Sequence, residues 1–290
     1  MAIVIGDVYQ PEILADAIMG YVAAGIPVMG STGAARLVSG LPASKAKAGE
    51  TVKVPYFGSI GEFEDVANDG DGLTPASYTD TSQNATVVHS GKLAEITAMA
   101  AAAGLDPVQE IARQMTEGMK RRADKALVDA ATANVANAWD AYTHDASTIG
   151  DGKISYDHLV EARGILGDES EDLAAWVFHS KVEKDLRLIK DAAGLPVFTD
   201  AKEGGLPRCL GIPVLVSDRV PLAATVYTNL LLKRDSLVFW MADITEDSIL
   251  TDTDISKHTQ LMALHMYFAC HRYTRMSGMT KPGVIHLLTK

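Results

Sequence analysis

Cysteine is almost missing from this sequence. Only Cys209 and Cys270 are present, far apart and in no CxxC or Cys/His cluster, which suggests neither a disulfide framework nor a zinc site. Long apolar runs are missing as well: none approaches the roughly 18 residues needed to cross a bilayer. The opening stretch, Met1 to Ile13, has neither the basic start nor the cleavage site of a secretory signal, so a reducing cytoplasm is expected and no membrane partner. Positive charge is scarce, with a net charge of −11. That balance argues against a tight grip on nucleic-acid phosphates and leaves room for existence beside DNA. Catalytic signatures are also lacking: there is no GxSxG, no HExxH, no Walker lysine and no Cys beside a plausible His base.

What remains is a chain of 290 residues, 47% apolar and 22% charged, enough for one or two domains with a buried core. Residues 1–48 hold short apolar patches broken by Gly20, Gly25, Pro27, Gly30, Gly33, Gly40 and Pro42, and read as an arm. Thr51 to Phe57 alternates Val52, Val54 and Tyr56 on one face, a strand that Pro55 confines to an edge or a bulge. Thr86 to His89 is a second strand. Between them lies a polar, Gly-rich stretch with Glu62, Glu64, Asp65, Asp69, Asp71 and Asp80 and no Lys or Arg. Two strands alone form a marginal hairpin, so this segment, residues 49–98, is expected to find its missing contacts on another molecule.

Asp106 and Pro107 then open a helix, with Asp106 as cap, Pro107 at the first helical position and Gln109 reaching back. Val108, Ile111, Met115, Met119, Ala123, Ala126, Leu127 and Ala130 define its apolar face; Arg113, Glu117, Lys120, Arg121 and Asp124 define the other. The pattern continues to about Asn137, a rod of roughly 45 Å. From Asp151 the period becomes mixed. Ser155 caps a helix that Gly167 stops, and Ala174 to Phe178 is a buried strand. Ser180 to Glu183 is a capping box for a further helix ending at Gly194. Strands follow at Ile212 to Val216, Leu230 to Leu232, Leu237 to Met241, Gln260 to Cys270 and Val284 to Leu288. The Gln260 to Cys270 run fits a helix equally well.

This order of arm, hairpin, long helix, mixed α/β domain and strand-rich end resembles the Hong Kong 97-type capsid fold of tailed-bacteriophage major capsid proteins. The most specific segments are three. Trp176 to Ser180 with Lys184 to Ala192 resembles a strand and helix of the family's axial domain. Leu210 to Ser217, continuing to Val220 and Pro221, resembles its G-I/V-P-V strand. Leu237 to Asp247, Ala263 to Arg272 and Gly283 to His286 resemble the strands returning to its peripheral domain.

The resemblance implies an α+β fold: N-terminal arm 1–48, extended β-hairpin loop 49–98, spine helix of the peripheral domain 99–150, axial domain 151–234, and returning strands 235–290. It implies a non-enzymatic shell subunit that self-assembles into pentamers and hexamers, forming an icosahedral head around double-stranded DNA in the virion after assembly in the host cytoplasm. Many relatives begin with a long helical scaffolding segment that is later removed. No room for one exists here, so a separate scaffolding protein is expected, along with a portal and a decoration protein. Some relatives weld subunits through a Lys–Asn isopeptide bond, and no such pair maps onto this chain. The rival readings are an encapsulin-like nanocompartment shell and a soluble α/β enzyme with a long lid.

No cofactor or metal site is assigned. Ser147 to His158 sounds like half of an EF-hand, but Ser147, Ile149 and His158 fall where carboxylates should coordinate. Asn68 to Gly72 lacks a closing Glu and reads as a solvated loop. Gly30 to Gly33 and Gly58 to Gly61 read as joints. His258, His265 and His271 have no carboxylate to complete a triad. The basic cluster Lys120, Arg121, Arg122 and Lys125 reads first as a solvated helix face; its functional reading is a face toward the shell interior or toward a neighbour's acidic loop, which makes it, with Glu62, Glu64, Asp65, Asp69 and Asp71, the set of candidate inter-subunit contacts.

Overall fold

The computed structural model describes residues 33–39, 41, 46–57, 65, 80–97, 107–133, 142–190, 198, 207–242, 249–254, 259–273 and 281–290. The arm before Gly33, Glu62, Glu64, Asp69, Asp71, the two loops Gly58 to Gly61 and Asn68 to Gly72, the Asp106 cap, Asn137, Gly194 and His258 lie outside them.

In chain order the elements are β1 (Ala35–Ser39), β2 (Thr51–Phe57), β3 (Asp80–Thr97), α1 (Pro107–Thr132), β4 (Thr143–Asp145), α2 (Tyr156–Gly164), β5 (Leu173–Phe178), α3 (Ser180–Arg187), β6 (Arg208–Cys209), β7 (Ile212–Val216), β8 (Leu222–Ala223), β9 (Val226–Lys233), β10 (Leu237–Met241), β11 (Ile249–Asp254), β12 (Thr259–Arg272) and β13 (Val284–Thr289). The chain divides into two compact units. One comprises Met1–Thr51, Thr86–Ala131 and Leu237–His271; the other comprises Val52–Ala85, Thr132–Ser236 and Arg272–Lys290.

A six-stranded sheet runs in the order β1-β10-β12-β3-β2, with β11 also paired to β12. β2 ends that order, the edge position that Pro55 requires because it lacks an N–H for a second neighbour. β3 extends well beyond the four residues expected from sequence. It pairs antiparallel with β12 from Thr97 opposite Thr259 to Val87 opposite Ala269. That pairing resolves the ambiguous run as a strand. Met262, Leu264, Met266 and Phe268 are buried while the residues between Leu261 and Tyr267 that alternate with them are half exposed, a period of two that no helix produces.

α1 has 26 residues, about 39 Å of rod. It buries Ala112, Met115, Met119, Ala123, Ala126 and Leu127, and the Arg122 guanidinium sits 5.3 Å from the centre of the Phe268 ring. Phe268 stacks in turn on Phe239. One expectation changes on this helix. Asp124, assigned from sequence to the solvated face, is 2% exposed; it flanks Ala123 on a buried stripe wider than the a/d spacing marked.

The other unit carries a seven-stranded sheet, β4-β13-β9-β5-β7-β6, with β8 also paired to β9. β5 is parallel to β7 and antiparallel to β9, and its run from Ala174 to Phe178 is buried throughout, as a central strand covered on both sides requires. Leu159 and Ala162 of α2 and Val182 and Leu186 of α3 join Trp176 and Phe178 in one core cluster. The Ser155 hydroxyl accepts the His158 amide at 3.3 Å, capping α2 as read from sequence. The cap of α3 is displaced by one residue. His179 Nδ1, and not the Ser180 hydroxyl, accepts the Lys181 amide at 3.1 Å. The helix ends at Arg187, earlier than the Gly194 stop, with the Leu188 amide turned back to Lys184 and Asp185. Leu210 and Gly211 both have positive φ, 52° and 80°, the two-residue turn that carries β6 antiparallel into β7.

Candidate assembly surfaces

Along β3 the burial pattern changes character. Ala85 and Val87 are buried and Asn84, Thr86 and Val88 exposed, but from His89 to Glu95 every residue is at least partly exposed. Leu93 is 59% exposed, large for an apolar strand residue. Beside it α1, β3 and β12 enclose an open groove of about 690 Å³ with Leu93, Ile111, Met115, Met119, Leu264 and Met266 in its walls. His89 borders the groove, stacked on Tyr267 at 4.4 Å and with Nε2 3.1 Å from His265 Nδ1. Gly91 lies opposite His265 in the register, where an added Cβ would stand 2.7 Å from His265 Nδ1. The glycine is what lets the imidazole cross the strand pair.

The basic cluster does not form a single patch. Lys120 is 14% exposed at its side chain and pairs with Glu117 at 3.1 Å, while Arg122 lies over Phe268. Arg121 and Lys125 are exposed. Of the acidic partners, Asp65 is described and exposed. At the start of α1, Arg113 donates twice to Glu110, at 2.7 and 2.9 Å; that pair and Gln114 hold the Glu110 carboxyl down to about 2. Burial pushes both thiols up to about 12, which leaves them unreactive.

The Ser147 to His158 stretch is a turn and a helix start. Asp151 accepts the Lys153 amide and Gly152 has φ of 76°. His265 and His271 lie on the strand β12. Sequence reasoning passed over a different group: His144, His158 and Glu161 bring one ligand atom each within 4.8 Å of one another. The signal available was His158 and Glu161 at a spacing of three on one helix; His144 joins them only through the fold.

The phage capsid family model matches residues 40–243. The chain belongs to the phage capsid family. Among curated proteins none matches it significantly. Solved structures share its fold: the capsid of Ralstonia phage GP4 at 12% identity, covering 93% of this chain and 90% of that one with a TM-score of 0.65; the capsid of an empty GTA particle at 16% identity, 88% and 87% coverage and 0.65; and a chain from Microbacterium phage Oxtober96 at 15% identity, 89% and 90% coverage and 0.58. The capsid chain therefore has the Hong Kong 97-type fold and serves as a major capsid protein of an icosahedral shell, in the virion. Family and neighbours are structural proteins, and the enzyme and nanocompartment readings are not favoured. Among the described residues no helix is long and apolar enough to cross a membrane.

Proposed function

We propose that this capsid protein closes into pentamers and hexamers around double-stranded DNA, its work being assembly and not catalysis, with the β2–β3 hairpin laid over a neighbouring subunit. The observation that carries this reading is the solvent-facing apolar side of β3 around Leu93, beside an open apolar groove. A single subunit gains nothing from leaving such a surface wet, whereas permanent assemblies bury some 2,000 Å² or more per interface. Asp65, with Glu62, Glu64, Asp69 and Asp71 of the same loop, meets the exposed Arg121 and Lys125 across subunits, while Lys120 and Arg122 brace the helix from inside. Ring-like head-to-tail contacts of this sort close when the rotation permits. The net charge of −11 keeps DNA affinity weak, fitting a container that must empty. A separate scaffolding protein, a portal and a decoration protein complete the partner set.

Negative-stain electron microscopy of the purified full chain tests the reading. Rings or uniform shells are expected, and substitution of Leu93→Asp is expected to abolish them while leaving the circular dichroism spectrum intact. A wild-type monomer that persists at high concentration would overturn it.

A further inference from the structure

We propose that His144, His158 and Glu161 form a binding site for a divalent cation of the zinc class. The three come from two elements that the fold presses together. His144 lies at the middle of β4, opposite Leu287 of β13. His158 and Glu161 stand three residues apart on α2 and so share one of its faces. The Ser155 cap fixes where that helix begins, and with it the direction in which His158 leaves the helix.

The spacing suits a first-row ion. His144 Nε2 lies 3.0 Å from His158 Nδ1 and 3.2 Å from Glu161 Oε2; His158 Nδ1 lies 4.0 Å from the same oxygen. An ion held at about 2.0–2.1 Å from two imidazole nitrogens separates them by roughly 2.9–3.4 Å for angles between a right angle and the tetrahedral one. The nitrogen pair is already inside that interval. The longer distance involves Glu161, whose side chain is 60% exposed and has room to turn, while the rings are held, at 13% and 12% exposed. Two rigid donors and one adjustable one is a sound arrangement for capture.

Chemistry agrees with geometry. Two imidazoles and one carboxylate favour zinc, copper, nickel or cobalt over magnesium and calcium, which prefer oxygen ligands. Three protein ligands leave a fourth position for water. A bound ion would clip α2 to β4, the three-residue strand at the end of its sheet. The inference stands independently of the shell reading.

The test uses full-length protein stripped with a chelator. Titration with Zn²⁺ against a chromophoric competitor is expected to show one ion per chain, and Co²⁺ to give visible d–d bands. Millimolar Mg²⁺ and Ca²⁺ are expected to leave uptake unchanged. Substitution of His144→Asn or His158→Asn should weaken Zn²⁺ by about tenfold or more. Glu161→Gln, at an exposed position that leaves the fold alone, should weaken it severalfold and alter the Co²⁺ spectrum. Absence of stoichiometric uptake by the wild type overturns the proposal. So does uptake that is the same in the folded Glu161→Gln and histidine variants, the sign of a histidine pair that only shares a hydrogen bond.

Discussion

Lys233 is among the largest fully buried side chains of the protein, and its ammonium group is tolerated because Glu169 Oε2 lies 3.3 Å away. The same oxygen accepts the Lys281 amide at 3.2 Å, so one carboxylate serves both a cation and a backbone donor. Substituting Glu169→Ala removes a charge partner of the buried ammonium without removing the charge. A loss of about 3–5 kcal/mol is expected, read as a lower urea midpoint, against little change in midpoint for Arg113→Ala in the exposed pair. His144 sets a second expectation. Its pKa is lowered below 6.5 chiefly by burial, with His158 adding to that effect and Glu161 and Asp145 opposing it. The unfolded chain therefore takes up this proton first, so stability from the neutral ring is complete above the unfolded value and declines as pH falls toward the folded one. In chelator, the urea midpoint of the wild type should drop more between about pH 7.5 and about pH 5.5 than that of His144→Asn.

At the scale of elements, β3 and β12 depend on Gly91. Gly91→Ala would place a methyl group 2.7 Å from His265 Nδ1 and 3.1 Å from the Leu264 carbonyl oxygen. Strands held in register at eleven residue pairs cannot part locally, so a cost of about 1–3 kcal/mol is expected, with hydrogen exchange rising along β12. Periodicity made most such elements legible. β7 and β10 have the bounds that their apolar runs marked, because a short run with turn residues on both sides admits one pairing. β3 was underestimated since Ser90, Gly91 and Lys92 have weak strand preference; β12 supplies the pairing that holds them, and no local pattern contains that information. The same limit explains the candidate site. His158 and Glu161 announce a shared face, but β4 reaches His144 through its pairing with β13.

For the whole molecule the question is what binds copy to copy. If Arg121 and Lys125 meet the acidic loop of a neighbour, reversing both to Glu should delay assembly in light scattering at low ionic strength. The difference from wild type should narrow at about 1 M salt, where the screening length falls to roughly 3 Å. An unchanged assembly rate at low salt would remove these cations from the interface. The family and its fold were readable from the order of the elements together with the segments around Trp176, Leu210 and Leu237; which cations face outward was not, since Lys120 and Arg122 turn toward Glu117 and Phe268 by packing.

β1 lies parallel to β10, with Ala35 opposite Leu237, so one sheet joins sequence-early and sequence-late segments. Closing so long a loop is slow relative to local contacts. A nascent polypeptide still short of Leu237 holds β1 without its only described sheet neighbour. That margin of the sheet is therefore completed only after most of the polypeptide has been made.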